Sequence, residues 1–175
     1  MNAPSDPPEF ALSPFGAAAV SLSSRTRNFQ ALAELLSIAA ARGANPMLAR
    51  SATAAVARAL DADRAGVWLY DQSRARCHGA DLFVRSSERH EVPSAMSSDE
   101  VRALFARRDA HALAVPIATR RGAVGMLRVE RAGRGRGLSD EEQCFVRAVA
   151  DVIALCVEPA MRARSPRVSS LPPPA

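Results

Sequence analysis

The stretch from His111 to Glu130 constrains this chain more than any other. Leu113, Val115 and Ile117 alternate with Ala112, Ala114 and Pro116. After Arg120-Arg121-Gly122 the alternation resumes, Leu127 and Val129 falling on one face and Val124, Met126 and Arg128 on the other. A period of two is the mark of a half-buried strand, because successive side chains point to opposite faces. Gly122 supplies the positive φ that a tight turn wants, so two antiparallel strands are predicted. Gly125, inside the second strand, marks the close approach of another backbone or helix. Such a hairpin is marginal in water by itself and needs further strands and a covering helix.

The flanking sequence supplies both. Residues 25–42 read as a helix stopped by Gly43 and Pro46, with Arg27, Gln30, Glu34 and Ser37 as a narrow polar stripe. Asn45-Pro46 opens a second helix through Ala49, Ala52, Val56 and Leu60. Ala65–Tyr70 reads as a strand with Ala65, Val67 and Leu69 facing one way and Trp68 and Tyr70 the other. A turn at Asp71–Arg74 leads to a second strand, 75–84, and then a polar loop, 85–93. Ser98 is placed to cap a short helix, 99–108, carrying Val101, Leu104 and Phe105. Residues 132–137 read as a flexible connector. Ser139 and Glu142 form a capping box that starts a last helix, expected to stop at Pro159. Pro-, Ser- and Ala-rich tails are expected over 1–23 and 161–175, leaving one domain over 25–160.

Two of these helices are greasier than a sheet contact requires. Phe29, Leu32, Leu35, Leu36 and Ile38 on the first, and Phe145, Val149, Val152, Ile153, Cys156 and Val157 on the last, cover far more than a ~100° stripe. A second contact is needed, from another helix of the domain or from a partner subunit. Phe29, Leu32, Leu36, Val149, Ile153 and Cys156 are the candidate dimer-interface residues.

With 23 basic residues against 18 acidic ones, the net charge is +5. All 23 are arginine, scattered and interleaved with acids, which reads as the codon usage of a GC-rich genome on an ordinary surface. A nucleic-acid-binding module is therefore an alternative and not the first reading. Cys77, Cys144 and Cys156 lack CxxC spacing, and Cys144 and Cys156 lie too far apart along one helix to bridge. Free cysteines in a reducing cytoplasm are expected. The three histidines, His78, His90 and His111, share no ligand spacing, so no metal site is assigned. No nucleophile with an aligned base can be assembled, and no catalytic residue or cofactor is assigned. The first residues lack the basic-then-apolar layout of a signal peptide and no window approaches ~20 apolar residues, so neither a leader nor a membrane span is expected.

The order helix, helix, strand pair, helix, strand pair, helix predicts an α+β fold with an antiparallel sheet. Three pieces of it carry a resemblance. Ala-Asp-Arg-Ala-Gly-Val-Trp-Leu-Tyr-Asp (62–71) resembles the first strand of a GAF domain. Ala-Val-Pro-Ile with Gly-Ala-Val-Gly-Met-Leu-Arg-Val-Glu (114–130) resembles its central hairpin, and Leu-Ser-Asp-Glu-Glu with Val-Ala-Asp-Val-Ile-Ala (138–154) its closing helix. The resemblance covers about residues 29 to 158. It implies N- and C-terminal helices on one sheet face, a short lid helix on the other, and a cytoplasmic, non-catalytic sensory or regulatory role. The resemblance implies binding of a small molecule or a protein partner, and members are often homodimeric through their terminal helices. The first strand and Cys77–His90 also resemble GAF domains of bacterial sensor histidine kinases, so a sensor kinase or another signalling protein is an implied partner.

On the lid face the candidate ligand-binding residues are Trp68, Tyr70, His78, Phe105 and Met126. Only Arg85 to Ala110 is available as a lid, and a short lid encloses less than the ~300 Å³ of a usual small-molecule pocket. The cyclic-nucleotide signature Asn-Lys-Phe-Asp-Glu needs a lysine that this chain lacks. Cys77-His78 mimics the bilin attachment pair but falls on a strand. A thiol-dependent reductase of GAF type, resting on Cys77, is the enzymatic alternative.

Overall fold

The structure, a computed structural model, describes residues 14–42, 46–71, 76–107, 109, 111–131 and 137–164. Four helices, α1 (Pro14–Arg42), α2 (Pro46–Ala59), α3 (Ser98–Ala106) and α4 (Asp140–Arg164), surround one antiparallel sheet. Its strands are β1 (Arg64–Tyr70), β2 (Arg76–Val84), β3 (Arg89–Glu91), β4 (Met96–Ser97), β5 (Ala112–Thr119) and β6 (Gly122–Glu130). They lie in the order β3-β2-β1-β6-β5, with β4 also paired to β2. The expected connector at 132–136 and most of the expected tails, 1–13 and 165–175, lie outside the described residues, as do Gly43 and Asn45.

The hairpin forms as its alternation requires. Gly122 turns with φ 109°, and Leu113, Val115 and Ile117 face the helices together with Leu127 and Val129. One face assignment needs correcting. Val124 joins the helix-side core and does not share a face with Met126, because the register slips between Ile117 and Ala118. Ile117 pairs with Gly125 and Ala118 with Ala123, which leaves Val124 as the extra residue of a bulge. Gly125 fits because a Cβ there would stand 2.3 Å from the Trp68 carbonyl oxygen.

Two layers of helix cover this face, where one was expected. α2 lies against β1 and β2 and α4 against β5 and β6, while α1 packs on α2 and α4. Residues 25–42 are thus held off the sheet, a correction to their expected place. This explains the wide apolar arc of α4: Phe145, Val149 and Ile153 belong to a core built from sheet, α2 and α1 together. α1 contributes Ala31 and Leu35 to it, with Leu32 partly buried.

Several ends also move. α1 begins at Pro14, so the tail expected to run to residue 23 is helical from there, as proline in a first turn and the Ala17-Ala18-Ala19 run allow. α4 passes through Pro159 to Arg164, correcting the expected stop and the start of the tail at 161. Proline removes the hydrogen bond to the Leu155 carbonyl, and Leu155 lies on the exposed side of the helix, where that loss costs least. α2 ends with Asp61 left-handed at φ 54°, the Ala62 N–H donating to the Ala57 carbonyl at 2.8 Å. Ser97, and not Ser98, caps α3, in a capping box with Glu100. The loop expected over 85–93 contains β3, too short to show a period. Among the described residues no helix is long and apolar enough to cross a membrane.

Arg131 locks these layers. Its buried guanidinium donates to the Leu60 carbonyl at the end of α2 and, at 2.9 Å, to Glu142 in the first turn of α4. Glu142 in turn accepts from the Ser139 N–H at 2.7 Å, closing the expected capping box. Burial opposes ionisation of Glu142, but the hydrogen bonds from Arg131 and Ser139 outweigh it and hold the carboxyl below its ordinary range. Removing one partner of such a buried pair strands the other, so Arg131→Met should lower stability by about 3 kcal/mol and the Tm by roughly 10 °C. A carboxyl with a depressed folded-state pKa contributes stability above its unfolded pKa near 4.5 and loses it as the pH falls. Melts from neutral pH down to pH 3 should therefore show a shallower acid loss for Glu142→Gln than for the native protein.

Candidate functional site: the lid face of the sheet

Opposite the helix layers, α3 and the chain between β3 and β4 cover the sheet. A second, smaller cluster is built there from Trp68, Cys77, Val101 and Met126, with Tyr70, Met96, Leu104 and Ala114 packed around it. Strand alternation puts it there. Trp68 and Tyr70 of β1 share this face with Met126, paired to Trp68, and with Cys77, paired to Tyr70.

Two glycines decide how the face is filled. The Trp68 ring lies over Gly66, where an added Cβ would stand 2.5 Å from the indole. Pro93 sits on Gly79, where a Cβ would be 2.1 Å from its carbonyl oxygen. The lid is pinned there by the Trp68 Nε1–H, which donates to the Ser94 carbonyl at 3.0 Å. The indole thus fills the centre of the face and satisfies its one polar group on the lid. Of the expected ligand-binding residues, Trp68, Tyr70 and Met126 come together. His78 does not: Cys77 takes the lid face, so the next residue points to the helix side, paired with Leu69 and exposed. Phe105 does not join them either, because α3 turns Val101 and Leu104 into the cluster and leaves Phe105 at its margin, 37% exposed.

Cys77 is fully buried. Burial pushes its thiol up to about 11, against the weaker pull of its hydrogen bond with the Tyr70 hydroxyl. A thiol of that kind stays protonated at neutral pH and is a poor nucleophile.

A second polar group lies on the helix side. The buried Asp81 carboxylate accepts a hydrogen bond from the buried Thr53 hydroxyl and stands 2.9 Å from His90 Nδ1. The three types suggest a nucleophile, base and orienting acid, but Thr53 bonds the carboxylate and not the imidazole. The hydroxyl and carboxylate are buried and face no described cleft, so the cluster ties α2 to β2 and β3.

A cleft of about 90 Å³ opens beside the Trp68 cluster, lined by Leu104, Arg107, Asp109, Ala112, Ala114 and Arg128. Reading the sequence missed it. Arg128 was legible only as sharing a strand face with Met126, Arg107 as the end of a helix, and Asp109 as part of the turn after it. Among the described residues no group of three His, Cys, Asp or Glu side chains is placed to hold a metal.

A single antiparallel sheet with stacked helices on one face and a short helical lid on the other defines an α+β module. A family model of the GAF domain matches residues 47–158, and the chain belongs to that family. Among solved structures, the GAF domain of a phosphoenolpyruvate-protein phosphotransferase from Acinetobacter superposes with a TM-score of 0.62 at 14% identity, covering 79% of this chain and 98% of that one. The counterpart from Coxiella burnetii gives 0.58 at 14% identity, covering 79% and 96%. The phycocyanobilin-bound GAF domain of a cyanobacterial phytochrome gives 0.65 at 11% identity, covering 78% and 97%. At these identities the likeness is one of fold. No curated protein sequence matches the chain.

Trp68 is the sole tryptophan, so intrinsic fluorescence reports on the lid directly. Gly79→Ala should lift Pro93, red-shift the emission, raise quenching by iodide and lower stability by about 1–3 kcal/mol. Alkylation of the folded protein with iodoacetamide should label the exposed Cys144 and spare Cys77 and Cys156 until denaturant is added, which peptide mass mapping reads directly.

Proposed function

We propose that this chain is a non-catalytic GAF regulatory module that forms a homodimer and signals through its helical side, to a sensor kinase or another signalling protein of the cytoplasm. The carrying observation is where apolar surface is spent and where it is left over. The lid face is filled by Trp68, Met126, Cys77 and Val101. On α1, by contrast, Phe29 and Leu36 leave 73% and 50% of their surfaces in water.

Those two side chains belong to a pattern. Phe29, Ala33, Leu36 and Ala40 are all exposed and follow one another at intervals of four, three and four residues. That spacing makes a continuous seam along a helix, the arrangement by which two helices of identical sequence pack together. The candidate interface is accordingly narrower than the sequence suggests. Val149, Ile153 and Cys156 are buried inside the domain and are withdrawn from it, and Leu32 is mostly covered. Phe29 and Leu36 remain. On α4 the large apolar side chain exposed among the described residues is Leu155.

In this reading a partner or effector changes the packing of α1 on α2 and α4, and the shift in that equilibrium is the signal. The Cys77 thiol, buried and protonated, favours this over thiol-dependent reduction. Sedimentation velocity tests the reading. The native chain should run as a dimer at micromolar concentration, and Leu36→Glu with Phe29→Glu as a folded monomer with unchanged far-UV circular dichroism and a Tm that no longer depends on concentration. A native monomer at every concentration would overturn it.

A further inference from the structure

The cleft beside the Trp68 cluster is chemically unlike the rest of that face. Its floor is Ala112 and Ala114 of β5, and its apolar wall is Leu104 of α3. Around this rim stand two guanidinium groups and one carboxylate. Arg128 rises from β6 opposite Ala114 and Gly66, so small residues on both neighbouring strands leave space at its sides. Arg107 closes the C-terminal end of α3, and Asp109 follows it, where a bridge to Ala112 brings the chain onto the sheet edge.

Each charged group has capacity left. Arg128 spends one N–H on Glu130 at 2.7 Å, and a guanidinium has five. The Arg107 guanidinium has no partner among the described residues. Asp109 uses Oδ1 to accept the His111 N–H at 2.9 Å, and a carboxylate has acceptor sites beyond that one. A simple anion would meet the arginines but also the Asp109 charge, and a simple cation the reverse.

We propose that the cleft binds a small zwitterion of the amino-acid class. Its carboxylate is held by Arg107 and Arg128, its ammonium by Asp109, and a short apolar side chain rests on Leu104 and the two alanines. The volume of about 90 Å³ sets the size limit, well below the ~300 Å³ at which drug-sized ligands begin. A nucleotide, a bilin or an aromatic amino acid does not fit. The inference goes beyond association through α1 and does not depend on it.

The test is a titration of the ¹⁵N-labelled full chain with L-alanine, with propionate lacking the ammonium and L-tryptophan as size control. Alanine should shift the amides of Arg107, Asp109, Ala112 and Ala114 saturably, and propionate and tryptophan should bind at least about tenfold more weakly. Arg107→Gln and Arg128→Gln should each weaken alanine about tenfold. Asp109→Asn keeps the acceptor for His111, and should weaken alanine while strengthening propionate. Unchanged melting and Trp68 emission confirm that these variants fold. Absence of a saturable shift at tens of millimolar alanine, equal affinity for propionate or tryptophan, or indifference to the three substitutions would each overturn the proposal.

Discussion

The fold depends on β1 being covered on both faces at once. Val67 is sealed under the helix layers, and one residue later Trp68 lies flat on the lid face over Gly66. A strand in the middle of a sheet can bury both faces only if its neighbours leave room. Gly66, Gly79 and Gly125 provide that room, each at a place where a Cβ would collide with Trp68 or Pro93. The bulges in β2 and β6 serve the same end. They shift the register beside Trp68 and beside Ile117, so that a bulky lid cluster and a continuous helix-side core fit on one twisted sheet.

Much of this was legible in the chain because period-two alternation and capping chemistry are local. The hairpin at 112–130, the capping box of Ser139 and Glu142, and the opposed faces of β1 follow from residues within a few positions of one another. The layering of α1 was not legible. A helix with a wide apolar arc needs two contacts, and the pattern alone cannot say whether sheet, helix or second subunit provides them. The buried places of Val149, Ile153 and Cys156 come from that ambiguity. They are apolar because α4 is enclosed within one chain, and the surplus surface lies on α1 instead.

The lid face shows the same division. Trp68, Tyr70 and Met126 were readable as one face because they alternate on paired strands. His78 was misplaced because the bulge in β2 breaks that strand's period, and Phe105 because it stands at the margin of the α3 face that Val101 and Leu104 fill. The cleft formed by Arg107, Asp109 and Arg128 joins a helix end, a turn and a strand. No spacing rule links such positions, since only the register of β6 against β5 brings them together.

The borders of the sheet bear on how this molecule meets others. β5 is an outer strand eight residues long, but Pro116 stands in its middle without an N–H to offer. At the opposite border β3 has three residues and β4 two. Neither rim offers a long unbroken row of donors and acceptors for a foreign strand to dock against. The protein is thereby guarded against runaway ribbon growth.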